Sequence, residues 1–189
     1  NKIIISELKK LDSSYPIISE ESSYIEFKER SSWERYWLVD PLDGTSNFLR
    51  NIPISCVSIA LVQGLKPILG AIFDFNNSDL YFAHKNSKAF VNKSEINVSS
   101  LNFKKDSTLV TGIPAKDNYS DNEFSSMISD FQSWKKVRMI GSAAMASIYV
   151  AAGKAEAYKE NGIFLWDIAA GAAIVEAAGG KVSICNHQS

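Results

Sequence analysis

The sequence predicts an α+β fold in which sheets and helices stack in layers. Apolar, strand-like runs follow one another between turn residues in the first half of the chain, whereas strand and helix patterns alternate from residue 107 onward. Consecutive strands favour an antiparallel meander, and alternating strands and helices favour layers packed on a common core. With 189 residues, 46% of them hydrophobic, the chain is long enough to bury such a core.

The first half is predicted to open with a helix and to continue into strands. Ile4, Leu8 and Leu11 share one helical face within residues 1–11. An extended stretch after Pro16 leads to Ser19-Glu20-Glu21, and the polar segment 22–35 is expected to be a loop. Strands are then predicted at 36–39, 54–62, 67–73 and 80–83, with a further short edge at 90–91.

The second half is predicted to alternate. A helix near 121–133 has Asp121 as its expected N-cap and Phe124, Ile128 and Phe131 on its inward face. Gly141 opens a second helix that ends near Gly153, and Gly179-Gly180 closes a third over 166–178. The predicted strands are 108–111, 137–140 and 155–158.

We expect one domain over residues 1–189, incomplete at both ends, with a metal-site lobe at 1–105 that holds the antiparallel meander and an α/β lobe at 106–189.

The 20 Lys and Arg residues nearly balance the 21 Asp and Glu residues, so no overall field would gather a nucleic acid polymer or anionic lipid. No apolar run approaches the roughly 18–20 residues of a membrane span. Cys56 lies in an apolar run and is expected to be a buried free thiol. These features favour a cytoplasmic protein.

The most informative segment for function is Asp40-Pro41-Leu42-Asp43-Gly44-Thr45. Two carboxylates three residues apart flank a turn, which can direct both of them and the Leu42 carbonyl at one point. Such oxygen ligands suit Mg²⁺. The amides of Gly44 and Thr45 would be free donors for an anion if a helical turn begins there. Taken alone, the same string is also common in surface turns.

Two further acidic segments change that balance. Glu20-Glu21 ends an extended run, and Asp167 follows Trp166 at the start of an Ala-rich helix. Each has an ordinary explanation, as a solvated loop or as an acidic residue favoured by the helix dipole. Four carboxylates at element boundaries beside an amide-rich turn, Glu20, Asp40, Asp43 and Asp167, are harder to explain separately and together indicate a site for divalent cations and an anion.

These motifs resemble the inositol monophosphatase family, whose members are lithium-sensitive, magnesium-dependent phosphatases. The resemblance runs over nearly the whole chain. Its motifs are Glu20-Glu21, Asp40 to Thr45 with Asn47-Phe48, Gly141 to Ala144, Glu156 to Tyr158, Trp166 to Gly171 and Glu176 to Gly180.

The resemblance implies a layered αβαβα sandwich, two or three Mg²⁺ ions and a homodimer. It also implies a role for each matching residue. The metal ligands would be Glu20, Asp40, the Leu42 carbonyl, Asp43 and Asp167. The catalytic residues would be Glu21 and Thr45, and Thr45 would orient the attacking water. The substrate contacts would be Gly44, Thr45, Ser142 and Glu160.

The resemblance leaves several substrates open, because the family acts on inositol monophosphates, sugar phosphates including fructose 1,6-bisphosphate, histidinol phosphate and adenosine 3′,5′-bisphosphate. Glu160 lies seven residues before Asp167, where inositol phosphatases carry a glutamate that meets substrate hydroxyls, although it could equally be a loop charge. We therefore favour an inositol or sugar monophosphate, while Lys159 keeps a bisphosphate nucleotidase open. A non-catalytic relative is a further alternative, because the family's catalytic Asp is expected to precede Asn1.

Overall fold

The structure is a computed structural model that describes residues 1–21, 33–64, 66–113 and 118–185. Seven strands form its first sheet in the order in which they occur along the chain. β1 runs parallel to β2, and every later neighbouring pair is antiparallel, so the predicted meander is confirmed. The strands are β1 (Ile17–Ser19), β2 (Arg35–Asp43), β3 (Cys56–Gln63), β4 (Lys66–Asp74), β5 (Asp79–His84), β6 (Ala89–Val91) and β7 (Ser94–Ile96).

β2 is longer than the sequence predicted. It continues past Asp40, through Pro41, to Asp43, and its pairing with β3 shifts register between Asp40 and Asp43. Proline has no N–H to donate, so it fits a bulge that leaves one residue unpaired. The turn therefore begins at Gly44, and Asp43 remains part of the strand. Most of the predicted loop at 22–35 lies outside the described residues.

The second sheet has three parallel strands in the order β10-β8-β9. Helices connect these strands, as the alternation in the second half predicted. The strands are β8 (Thr108–Thr111), β9 (Lys136–Met139) and β10 (Ala157–Lys159), and the helices of the described chain are α1 (Lys2–Leu11), α2 (Thr45–Leu49), α3 (Asp121–Gln132), α4 (Ala143–Ala151) and α5 (Leu165–Ala177), with a 3₁₀ turn at Lys104–Asp106.

The helix begins at Asp121, where the prediction placed it, but the predicted N-cap was wrong by one residue. Ser120, rather than Asp121, is the N-cap. The Ser120 hydroxyl accepts a hydrogen bond from the Glu123 N–H, and the Glu123 carboxylate accepts one from the Ser120 N–H at 2.8 Å. This reciprocal capping box favours Ser at the boundary and Glu three residues later.

The predicted inward face of α3 was also wrong. Phe124 is 49% exposed and Ile128 is 39% exposed, Phe131 is half-buried, and the helix buries no residue. Apolar spacing correctly predicted the helix, but it carries no information about whether another element covers that face.

The larger core lies between the two sheets, where α4 and α5 pack together. It includes Ile72 of β4, Val110 of β8, Ile148 of α4 and Ile174 of α5, all nearly or fully buried. Cys56 is a buried free thiol in the same core, as predicted.

The outer layers complete the predicted αβαβα order. On the other face of the first sheet, Leu8 of α1 packs against Trp37 and Val39 of β2. In the second half of the chain, Asp130 of α3 pairs with Lys159 of β10 at 3.7 Å. The division into lobes at 1–105 and 106–189 stays a prediction. No helix of the described residues is long and apolar enough to cross a membrane.

Candidate active site

Three carboxylates from distant parts of the chain meet in one place. Glu20, Asp40 and Asp167, called the carboxylate triad below, each place one oxygen within 4.8 Å of the others. Glu20 directly follows β1, and its N–H donates to the Val39 carbonyl of β2 at 3.1 Å. The parallel pairing of β1 and β2 therefore sets Glu20 beside Asp40.

The third member arrives on a helix. Asp167 lies in the first turn of α5, where its Oδ2 accepts the Phe164 N–H at 2.9 Å. Ser58 pairs with Asp40 across β2 and β3, and its hydroxyl lies 3.4 Å from the Trp166 carbonyl, a long hydrogen bond. This contact joins the start of α5 to the strand that carries Asp40. Sequence reasoning missed Ser58, because nothing local marks it.

The triad is an unfavourable place for negative charge. Burial raises the pKa of Asp40 to about 8, and the charges of Asp43 and Glu20 add to the increase, while the Leu42 N–H opposes it. Burial likewise raises the pKa of Asp167 to about 7, with Asp43, Glu20 and Glu160 contributing. None of the ion pairs formed by the described residues reaches these carboxylates. An oxygen-rich, uncompensated cluster of this kind fits a hard divalent cation.

Asp43 lies next to the triad but is held by a helix. Its Oδ2 accepts hydrogen bonds from the Ser142 hydroxyl at 2.5 Å and from the Ala144 N–H at 2.7 Å. Burial raises the pKa of Asp43, and these two donors oppose that rise. Ser142 is the N-cap of α4 and Ala144 lies in its first turn. The Asp43 carboxylate of the first sheet therefore binds the N-terminus of a helix in the second half of the chain.

The segment between Asp40 and Thr45 is tied by its own hydrogen bonds. The Leu42 N–H donates to Asp40 Oδ1, and the Thr45 hydroxyl donates to the Leu42 carbonyl, both at 2.9 Å. Gly44 has φ +83°, and a Cβ there would lie 2.6 Å from the Ile54 carbonyl oxygen. Only glycine combines that backbone angle with so close an approach.

Glu160 is half-buried near these groups. Its Oε2 accepts the Tyr158 hydroxyl at 2.8 Å, and a Cβ on Gly112 would overlap its carboxylate. Burial raises the pKa of Glu160, and its charge in turn contributes to the raised pKa of Asp167. A carboxylate so placed can accept hydrogen bonds from a bound polyol.

The structure therefore brings most of the predicted site residues into one region. Glu20, Asp40 and Asp167 form the triad, Asp43 and Ser142 bond to each other beside it, and Leu42 bonds to Thr45. Glu21 is exposed at the end of the first described segment and is not a member of the triad. The functional roles assigned to these residues stay predictions.

The chain is similar to inositol monophosphatases and to proteins named Nus factor SuhB. A model of the inositol monophosphatase family matches residues 1–189. Nus factor SuhB of Xylella fastidiosa is 37% identical over 182 residues, which cover 96% of this chain and 64% of that protein. Inositol-1-monophosphatase of Mesorhizobium japonicum is 35% identical over 182 residues, covering 96% and 67%.

The similarity extends to solved structures. The inositol monophosphatase of Anabaena superposes with a TM-score of 0.87 at 32% identity, covering 95% of this chain and 71% of that one. The chain thus spans about two thirds of the length of these three relatives, from 64% to 71%.

Proposed function

Because the chain belongs to the inositol monophosphatase family, we propose that the whole protein hydrolyses phosphate monoesters with magnesium held at the carboxylate triad. One observation carries the proposal. Glu20, Asp40 and Asp167 come from three separate segments, yet their oxygens lie within 4.8 Å of one another. Asp40 is buried and Asp167 is half-buried, and none of the ion pairs of the described residues includes either carboxylate. Burying carboxylates without an opposite charge is costly, and a cation offsets that cost.

The ligand set extends beyond the triad. In this proposal, Asp43 and the Leu42 carbonyl complete the coordination of two or three ions. Magnesium, when bound, supplies positive charge to the phosphate oxygens and lowers the pKa of the attacking water. The hydrogen bonds from Ser142 and Ala144 fix Asp43 in one orientation, which suits a ligand that must not move during the reaction.

Thr45 is proposed to orient the attacking water. Its hydroxyl donates a hydrogen bond to the Leu42 carbonyl, so the Thr45 oxygen keeps lone pairs that can accept a hydrogen bond from water. The amides of Gly44 and Thr45 would then face the phosphate. Glu21, exposed beside Glu20, completes the proposed catalytic pair with Thr45.

We propose an inositol monophosphate or a related sugar phosphate as substrate. Glu160 supports this assignment because it is a half-buried hydrogen-bond acceptor near the triad. Its charge contributes to the raised pKa of Asp167. Polyol hydroxyls donate to a carboxylate, whereas a second phosphate would be repelled by it. Ser142, the N-cap of α4, is the second proposed substrate contact.

The test is phosphate release by the complete gene product as magnesium is titrated. The substrates are inositol 1-phosphate, fructose 1,6-bisphosphate and adenosine 3′,5′-bisphosphate. We expect release that stops with a chelator and favours the inositol ester. A preference for the nucleotide would identify a bisphosphate nucleotidase. Magnesium binding without release from any of the three esters would point to a substrate outside this set or to a non-catalytic relative.

Matched variants separate the site from the fold. Asp167→Asn should lower kcat at least about a hundredfold, in the range seen when one preorganised charged or polar group is lost. Glu176→Gln changes an exposed carboxylate on the same helix and should leave activity as it is. Full activity in Asp167→Asn would contradict the proposal.

The proposal also includes inhibition by lithium, a homodimer and a cytoplasmic location. Adding lithium chloride to the phosphate-release assay tests the first. Sedimentation of the purified protein tests the second, and fractionation of cells tests the third.

A further inference from the structure

Asn47 joins two parts of the chain that are far apart in sequence. Its Nδ2 donates to the Ile54 carbonyl at 2.9 Å and to the Ile140 carbonyl at 2.7 Å, and the Gly141 carbonyl lies 3.3 Å away. An amide nitrogen carries two protons, so the two shorter contacts use both. Asn47 therefore ties α2 and the loop after it to the turn between β9 and α4.

That turn is shaped to receive the amide. Gly141 has φ +69°, and a Cβ there would lie 3.3 Å from Asn47 Nδ2 and 3.4 Å from its Oδ1. A side chain at this position would crowd Asn47 as well as strain the backbone. The next residue, Ser142, is the N-cap of α4.

The same turn is held a second time by Asp43. The Ser142 hydroxyl and the Ala144 N–H both donate to Asp43 Oδ2. Asn47 and Asp43 lie four residues apart, and both form hydrogen bonds with residues 140–144. Asn47 donates to a backbone carbonyl there, whereas Asp43 accepts from a hydroxyl and an N–H. Movement of the turn away from Asn47 would carry the two donors away from Asp43.

We infer that Asn47 is a positioning residue that fixes the start of α4 so that Ser142 and Ala144 orient the Asp43 carboxylate. The effect on metal binding rests on the proposed function, because it assumes that Asp43 is a magnesium ligand. The effect on the hydrogen bonds of Asp43 does not depend on that assumption.

The variant Asn47→Asp tests this inference. It keeps the shape of the side chain, removes both protons and sets a carboxylate against the carbonyl oxygens. Asn51→Asp is the matched control, because it makes the same change at an exposed residue of the loop that follows α2. Asn51 has φ +56°, an angle that Asp also tolerates.

Two measurements are made on the complete gene product. In hydrogen exchange, the Ala144 amide should exchange roughly tenfold faster in Asn47→Asp, the size expected when a buried hydrogen bond weakens. In calorimetry, magnesium should bind about tenfold more weakly. Asn51→Asp should match the parent protein in both.

A double variant adds a readout that a merely structural role would not move. Ser142→Ala removes one donor to Asp43, so Asn47→Asp should cost less magnesium affinity in that background than in the parent. Additive losses would overturn the inference.

The outcomes separate the inference from the proposed function. Parent-like exchange at Ala144 in Asn47→Asp, with magnesium still bound normally, overturns the inference and leaves the function standing. Faster exchange at Ala144 in a protein that binds no magnesium supports the role of Asn47 in placing Asp43 and overturns the metal site.

Discussion

Gly70 of β4 lies directly beneath α5, the helix that brings Asp167 to the triad. A Cβ at Gly70 would overlap the Ala170 carbonyl oxygen and lie 2.9 Å and 3.0 Å from the Ala170 C and Cα atoms. These are backbone atoms of the helix and cannot rotate away. The variant Gly70→Ala must therefore move α5 away from β4.

The size of the effect follows from these distances. Ordinary van der Waals contact begins at 3.4 Å, so α5 must retreat by about 1 Å. Asp167 lies one turn before Ala170 and moves with it, within a triad whose oxygens are spread over no more than 4.8 Å. Overpacking of this kind costs about 1–3 kcal/mol, and a displacement of about 1 Å in a reacting group can cost about a hundredfold in rate.

The assay pairs urea unfolding with magnesium calorimetry. Gly70→Ala should unfold at lower urea and bind magnesium more weakly. Gly64→Ala is the control, because Gly64 has φ +61° and a Cβ added there would meet no atom within 4 Å among the described residues. That change should cost about 1–2 kcal/mol for the left-handed backbone and leave magnesium affinity unchanged. Parent-like stability and affinity in Gly70→Ala would refute the reasoning.

Two further predictions concern single hydrogen-bonded groups. Ser120→Ala removes the N-cap of α3 and should lower the free energy of unfolding by about 1 kcal/mol without changing magnesium affinity, as urea unfolding and calorimetry will show. Tyr158→Phe removes the donor that lowers the pKa of Glu160, so that pKa should rise further above its ordinary value. If the ionised Glu160 binds substrate, the acid limb of the kcat/KM profile then moves to higher pH; an unmoved limb would exclude Glu160 from substrate binding.

Local patterns predicted most of the fold. The meander followed from apolar runs between turn residues, and β8 matched its predicted bounds at Thr108–Thr111. The extent of β2 did not follow, because Pro41 and Asp43 are accommodated by a register shift against β3. The exposed face of α3 did not follow either, because periodicity does not reveal what covers a helix.

The candidate site shows the same division. The motifs singled out each member of the triad, since each stands at the predicted end of an extended run or at the start of a helix. The contact between Asp43 and Ser142 spans 99 residues, and the contact between Asn47 and Ile140 spans 93. No local spacing rule connects positions so far apart. The hydrogen bonds between Asp43 and the start of α4 are therefore seen only in the structure.

The central claim is that the carboxylate triad binds a divalent cation. The most direct measurement is anomalous diffraction from a crystal of the complete gene product soaked in manganese chloride, since Mn²⁺ takes the same oxygen ligands. The account predicts an anomalous peak within coordination distance, about 2.0–2.2 Å, of oxygens from Glu20, Asp40 and Asp167. A crystal with no peak there, or with manganese bound only elsewhere, would contradict it.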